Sequence, residues 1–289
     1  MSKMSIHLFE IMSPTGRDLG ALIDRIGRTG KDLRWRPILN QEIALLETRR
    51  DPATGFRFLD FVKRREVGPG KIRVNSDLEP FDFARGETFG EETAAIWDET
   101  RGWLAVQFNQ HGVRAGSIAN YFNSYDHDPD SDWILTAKLD ERAWRELARR
   151  PNVKAATLRF EATDRVNSAM RESGIALGSA LGRIGGTSGA ANVEVTFTMG
   201  HTHRFLDRDV GELFKSLART FGQDDGLRSV RLTARGDNDY EDKAIDLLHQ
   251  RIKGGVATRE LEVEALRFTL NSRWRAIERI MNGWIAEHE

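Results

Sequence analysis

His201-Thr202-His203, with Asp207 and Asp209 close behind, is the one local grouping of potential metal ligands. On a strand, positions 201 and 203 share a face, so two imidazoles can meet one cation. With Asp207 as a third ligand, the cation would serve a metal-dependent nuclease or phosphodiesterase. The competing reading is a pair of exposed turn histidines between a strand and a helix, with Asp209 engaged as a helix cap and Glu212 completing a capping box. Other chemistry is removed by composition. The chain of 289 residues has no cysteine, which excludes disulfides, thiolate nucleophiles and Cys-ligated zinc or iron–sulfur clusters.

The familiar motifs fail at particular residues. Gly30-Lys31 is followed by Asp32 and Gly70-Lys71 by Ile72, so no phosphate loop of the G-x-x-x-x-G-K-[ST] type exists. The run Asp126, Asp128, Asp130, Asp132 begins like a calcium loop, but Ser131 and Ala137 stand where glycine and glutamate are required. G-x-G-x-x-G, G-x-S-x-G and H-E-x-x-H are absent. No cofactor is expected, and the leading expectation is a protein without intrinsic catalysis.

Arginine is the remaining signal, with 34 Arg against 9 Lys. A GC-rich bacterial genome accounts for such a bias without function, yet guanidinium groups also form bidentate contacts with phosphate. Arg231 and Arg235 project from one side of a strand, with Arg228 and Arg204 nearby. Arg64 and Arg65 belong to a basic block from Arg34 to Arg73, where ten bases face five acids. These six arginines are the candidate nucleic-acid contacts. Two facts oppose them: a formal net charge of −1 and a pI near 6.7 are unlike a dedicated binder. The alternative is that each arginine pairs with a carboxylate on a neighbouring element. The stretch from Val74 to Thr100, with eight acids and only Arg85, either neutralises the basic block across a sheet or covers it.

The elements that would position these residues alternate in type. Ile6 to Ile11 reads as a strand, and Leu19, Leu22, Ile23 and Ile26 recur at helical spacing until Gly27 and Gly30. Glu42–Arg49 and Phe56–Arg64 flank a hairpin turn at residues 51–55, and Thr93–Asp98 and Trp103–Phe108 flank a second. Ser117 opens a short helix with Ile118, Tyr121 and Phe122. Residues 1–125 therefore form a strand-rich unit, and the polar stretch 125–132 marks a boundary.

Residues 126–289 then read as strand–helix–strand twice, near 133–161 and 192–235. The first repeat is Trp133–Lys138, a helix capped by Asp140, and Val153–Glu161. The second is Asn192–Thr198, a helix with Val210, Leu213, Phe214, Leu217 and Phe221, and Arg228–Arg235. In that last strand Val230, Leu232 and Ala234 point inward and Ser229, Arg231, Thr233 and Arg235 outward. Side by side, the repeats make a ferredoxin-like duplicated β-α-β unit, and the fold class is α+β. A glycine-rich segment, 174–189, reads as a mobile linker, or as a face on which a helix packs closely. Asp239 caps a helix with Ile245, Leu248 and Ile252, and a strand from Val256 to Leu266 follows. A terminal helix bears the stripe Trp274, Ile277, Met281 and Trp284, which either closes the core or meets a protein partner.

Two segments, Trp103–Asn109 with Gly112-Val113-Arg114 and Ile118–Phe122, and Asp239–Asp242 leading into Ile245–Leu248, resemble patterns in uncharacterised bacterial proteins of phage-defence and mobile-element loci. The resemblance covers about a fifth of the chain and transfers no catalytic residue. It implies an accessory or effector protein, commonly oligomeric, working beside a nucleic-acid-directed partner. No apolar run approaches a membrane span, and the N-terminus is too interrupted for a secretory signal, so a cytoplasmic protein is expected. A protein partner or self-association is expected as well, with a purely structural oligomer as a further alternative.

Overall fold

A computed structural model describes the chain apart from residues 1, 39, 72–76, 78, 127–131, 141–144, 146–148, 164–165, 168–175, 201–203, 222–226, 237–241, 249–250 and 289. The fold is mixed α+β, with antiparallel sheets and, among the described residues, five α-helices. It divides into two compact units. The first comprises Met1–Ile6, Ile11–Ile134 and Gly254–Glu289, and the second comprises His7–Glu10 and Leu135–Lys253.

The first unit is built on strands β1 (Lys3–Met12, of which His7–Glu10 belong to the second unit), β2 (Arg36–Ile38), β3 (Gln41–Asp51), β4 (Phe56–Arg65), β5 (Phe89–Asp98) and β6 (Trp103–Phe108). With β12 (Lys253–Ala257) they lie in the order β12-β1-β6-β5-β4-β3-β2. Both expected hairpins are present. At the first, Gly55 has φ 73°, and the Asp51 carboxylate accepts the Ala53 N–H at 2.9 Å.

Helices cover both faces of this sheet. On one side α1 (Leu19–Arg28), capped by Asp18, buries Leu19, Leu22, Ile23 and Ile26. On the same side α2 (Ala115–Asn123) sets Tyr121 and Phe122 edge-on against Phe61. On the other side lies α5 (Leu270–His288), whose Trp274 packs on Phe58 and donates its indole N–H to the Leu59 carbonyl at 3.0 Å. The terminal stripe thus closes a core: Trp274, Ile277, Met281 and Trp284 are all buried. With both faces covered, β4 is buried from Phe56 to Val62 although Arg57 and Asp60 interrupt it.

In the second unit, β8 (Asn152–Glu161), β9 (Asn192–Thr198), β10 (Leu227–Arg235) and β11 (Lys243–Asp246) form a sheet in the order β11-β10-β8-β9. One face packs α3 (Ala176–Ser188), through Leu181, and α4 (Arg208–Phe221), through Phe214, Leu217 and Ala218. They lie on a core of Ala156, Leu158, Phe160, Val230, Leu232 and Ala234.

Four elements differ from expectation, the first being the strand expected from Val256 to Leu266: the strand β12 ends at Ala257, and a 3-10 turn and a short hairpin follow it. The second repeat is present as a split β-α-β, with β9 and β10 flanking β8. The first is not: β7 (Ile134–Ala137) pairs with β1 rather than joining the β8 sheet, so the strand order is not that of a ferredoxin-like duplication. The helix expected between these two strands lies largely outside the described residues. The helix expected after Asp239 is instead β11, because Ile245 sits opposite Leu232 on the ladder and is buried there. The glycine-rich segment is helical as α3, and a Cβ on Gly185 would meet the Asn167 side chain at 2.1 Å and the Phe160 ring at 3.2 Å. Gly185 permits close packing, which a mobile linker would not require.

Candidate functional site

Among the described residues, helices pack on one face only of the second unit's sheet, and the strand alternation decides what the other face presents. Across β11, β10, β8 and β9, one outward row reads Asp246, Arg231, Thr157, Thr196. The next rows hold Ser229, Arg159 and Glu194, and Ala244, Thr233, Ala155 and Thr198. Thr157 and Thr196 hydrogen-bond to each other at 3.1 Å, and the Ser229 hydroxyl donates to Asp246 at 2.6 Å. Arg159 and Arg231 are exposed, and neither forms an ion pair among the described residues. The surface offers fixed hydroxyls around two extended guanidinium groups, a set that suits phosphate oxygens. Among the described residues it bears no aromatic ring on which bases would stack.

The other candidate arginines fall differently. Arg228 pairs with Glu161, and Arg235 donates to Asp242 at 2.8 Å. Lys154 adds a second cation 3.4 Å from Asp242. The hydrogen bond from Arg235 is the main cause holding the Asp242 carboxyl below the usual carboxylate range. Arg204 is exposed in the segment before α4. Arg64 and Arg65 belong to the first unit and are bound to Glu42 at 2.8 Å and Glu91 at 2.6 Å. The Arg64–Glu42 pair lies within the basic block, whereas Arg65 with Glu91, Arg50 with Glu99 at 2.8 Å and Arg57 with Glu99 join the basic block to the acidic one across the sheet. Arg159 was missed in the sequence, although its outward phase on β8 was readable from the flanking Leu158 and Phe160.

His201 and His203 lie outside the described residues. The Asp207 carboxylate accepts the Asp209 N–H at 3.1 Å at the start of α4, so the capping role expected of Asp209 falls to Asp207. Among the described residues, no three His, Asp or Glu side chains group as a metal site requires. No described helix is long and apolar enough to cross a membrane.

A second cluster, in the first unit, was not visible in the sequence. Arg273 on α5 is 2% exposed and donates to Asp60 at 3.2 Å and to Gln107 Oε1 at 3.4 Å. Its Nη2 lies 3.5 Å from Glu92, a charge contact rather than a hydrogen bond, and its Nε has no hydrogen-bond partner among the described residues. Burial pushes the Asp60 carboxyl up to about 6, with Arg273 opposing and Glu92 reinforcing the shift. The group titrates near neutrality, yet it is closed in by α5 and the strands and touches no described cavity. It serves to fix α5 on the sheet.

No curated protein matches the sequence. A family model described as a family of unknown function, DUF6731, matches residues 16–269, which spans most of both units, and the chain belongs to that family.

Proposed function

We propose that the protein is a non-catalytic component of a nucleic-acid-engaging assembly in the bacterial cytoplasm, and that it holds the phosphate backbone on the open face of the β11-β10-β8-β9 sheet. The observation that carries this reading is the pair Arg159 and Arg231, exposed among ordered hydroxyls and without ion-pair partners among the described residues. Arg228 and Arg235 sit on the same strand at the margin, already held by Glu161 and Asp242, and exchange those partners for phosphate only at some cost. With no aromatic platform among the described residues, the contact is to backbone and is indifferent to base sequence. A place in phage defence agrees with the sequence resemblance noted above and rests on that resemblance alone.

The test is fluorescence anisotropy with labelled single- and double-stranded oligonucleotides of about 20 nucleotides, from ~50 to ~200 mM salt. Affinity should fall steeply with salt, and changing Arg159 and Arg231 together to Ala should reduce the log–log slope by about 1.5. The absence of any binding at ~50 mM salt, or an unchanged slope in the double variant, would rule the reading out.

A further inference from the structure

The chain between β12 and α5 makes a short 3-10 turn, Thr258–Glu260, and a hairpin of β13 (Val263–Glu264) and β14 (Arg267–Phe268). Glu264 stands opposite Arg267, so Ala265 and Leu266 are the whole turn. Both have positive φ, 48° and 63°. A two-residue turn with both positions left-handed normally takes Asn-Gly, because a Cβ crowds the following carbonyl there. Here the second position holds a leucine that is 99% exposed, beside Val263 at 61%. Glycine would relieve the backbone and a polar residue would suit water, so neither local conformation nor solvation explains Leu266.

The tip is held firmly. Thr269 N–H donates to the Glu262 carbonyl at 2.9 Å, Arg267 pairs with Glu92 on β5, and Arg275 donates to Glu262 at 2.5 Å. Beside the hairpin the same stretch of chain encloses a cavity of about 300 Å³. Buried Val256, Ser272 and Ala276 form its floor, and exposed Glu260, Glu262, Arg275 and Arg279 form its rim. Arg279 bonds Glu260 at 2.8 Å, so the rim's two acids and two bases are paired and it bears no net charge.

We propose that this face of the first unit is a self-association surface, in which the Leu266 tip of one copy enters the cavity of a second copy and receives that copy's tip in return. Knob and hole come from one continuous segment, as a two-fold interface needs, since the same patch must serve both sides. A rim with balanced charge lets two copies of that patch meet without like-charge repulsion, which a net-charged face would not. The contact also gives the exposed leucine the side chains of Val256 and Ala276 on the floor to pack against, and tips held in place lose little freedom on docking. The inference concerns the first unit alone and stands apart from the nucleic-acid reading.

Sedimentation equilibrium on the full chain tests it with two variants and their mixture. The unaltered protein should dimerise with a dissociation constant of ~1–100 µM. Leu266→Gly, which removes the knob and relieves the turn, should weaken association about tenfold or more while leaving the melting temperature no lower. Ala276→Leu, which fills the hole from its floor, should weaken association similarly. An equimolar mixture of the two variants restores one knob-and-hole contact of the two, so it should associate more tightly than either variant alone. A protein that is monomeric at ~100 µM overturns the proposal. So does a Leu266→Gly variant that dimerises as before, or a mixture no tighter than its components.

Discussion

Strands β4 and β10 both interrupt an apolar run with arginine, and the two use it in opposite ways. On β4 both sheet faces are covered, so Arg57 is 4% exposed, and Asp24 and Glu99 supply its counter-charge. On the opposite face of β4, Asp60 is equally enclosed and depends on Arg273. On β10 one face carries no helix among the described residues, and pairing becomes optional: Arg228 and Arg235 have carboxylates, while Arg231 is exposed. A buried charge without a partner costs several kcal/mol, whereas an exposed pair contributes about 0–1 kcal/mol. Arginine on a strand therefore indicates a ligand surface only where no layer lies above it. The opposing layer, not the residue type, separates a structural guanidinium from an available one.

The sharpest way to break this comparison is to truncate one charge of each kind. Arg273→Ala leaves Asp60 and Glu92 facing each other inside the first unit, and it should lower unfolding stability by about 3–5 kcal/mol. Tryptophan fluorescence in a denaturant titration reads this unit, since every tryptophan except Trp144 lies in it. Replacing Asp60 and Arg273 together by Asn and Met should recover part of the loss, because no buried charge of the pair is then left alone. If Arg273→Ala costs less than ~1 kcal/mol, the cluster is not the buried counter-charge described, and the contrast between the strands fails.

Proton linkage sharpens the same contrast. Asp60 has a folded pKa of about 6 against an ordinary 3.8, so its folded form binds a proton more tightly than its unfolded form. The stabilisation from that proton is complete below the ordinary pKa and is lost as pH rises through the folded one. Across the whole titration, from below pH ~3 to above pH ~7, the loss amounts to about 3 kcal/mol. Asp24 and Asp242 act with the opposite sign: their lowered pKa values favour the folded state above the ordinary range, and that benefit disappears as pH falls. The stability of the unaltered protein relative to an Asp60→Asn variant should therefore decline from acid to neutral pH. A flat difference would mean that Asp60 stays ionised throughout and is better solvated than its burial implies.

What the sequence revealed follows from the range of the interaction involved. Period-two alternation located β9 and β10, turn chemistry located both N-terminal hairpins, and helical spacing located α1, α2, α4 and α5. Local pattern failed where a distant partner decided the outcome. Ile245, Leu248 and Ile252 have good helical spacing, but Leu232 lies across the ladder and makes residues 243–246 a strand. Asp60 and Arg273 are 213 positions apart, so nothing near either residue announces the cluster. The glycines of 176–188 look like linker composition and are helical because Gly185 lets the helix approach Asn167 and Phe160. The open face was partly legible: the outward phase of β10 named Arg231, and the same alternation on β8 would have added Arg159.

The smallest effects belong to the open face, where stability and binding should separate. Arg231→Ala removes an exposed side chain with no ion pair among the described residues, so unfolding stability should change by no more than about 0.5 kcal/mol. Arg235→Ala should cost up to ~1 kcal/mol and, by removing the main cause of its low value, raise the Asp242 pKa toward the ordinary range. Carbon-13 carboxylate titration by NMR follows that shift directly. The two variants test opposite halves of one statement. If Arg231→Ala destabilises more than Arg235→Ala, then Arg231 already has structural work on this face. An arginine so engaged is in the position of Arg57 and Arg273, and it is no more available to a phosphate than they are.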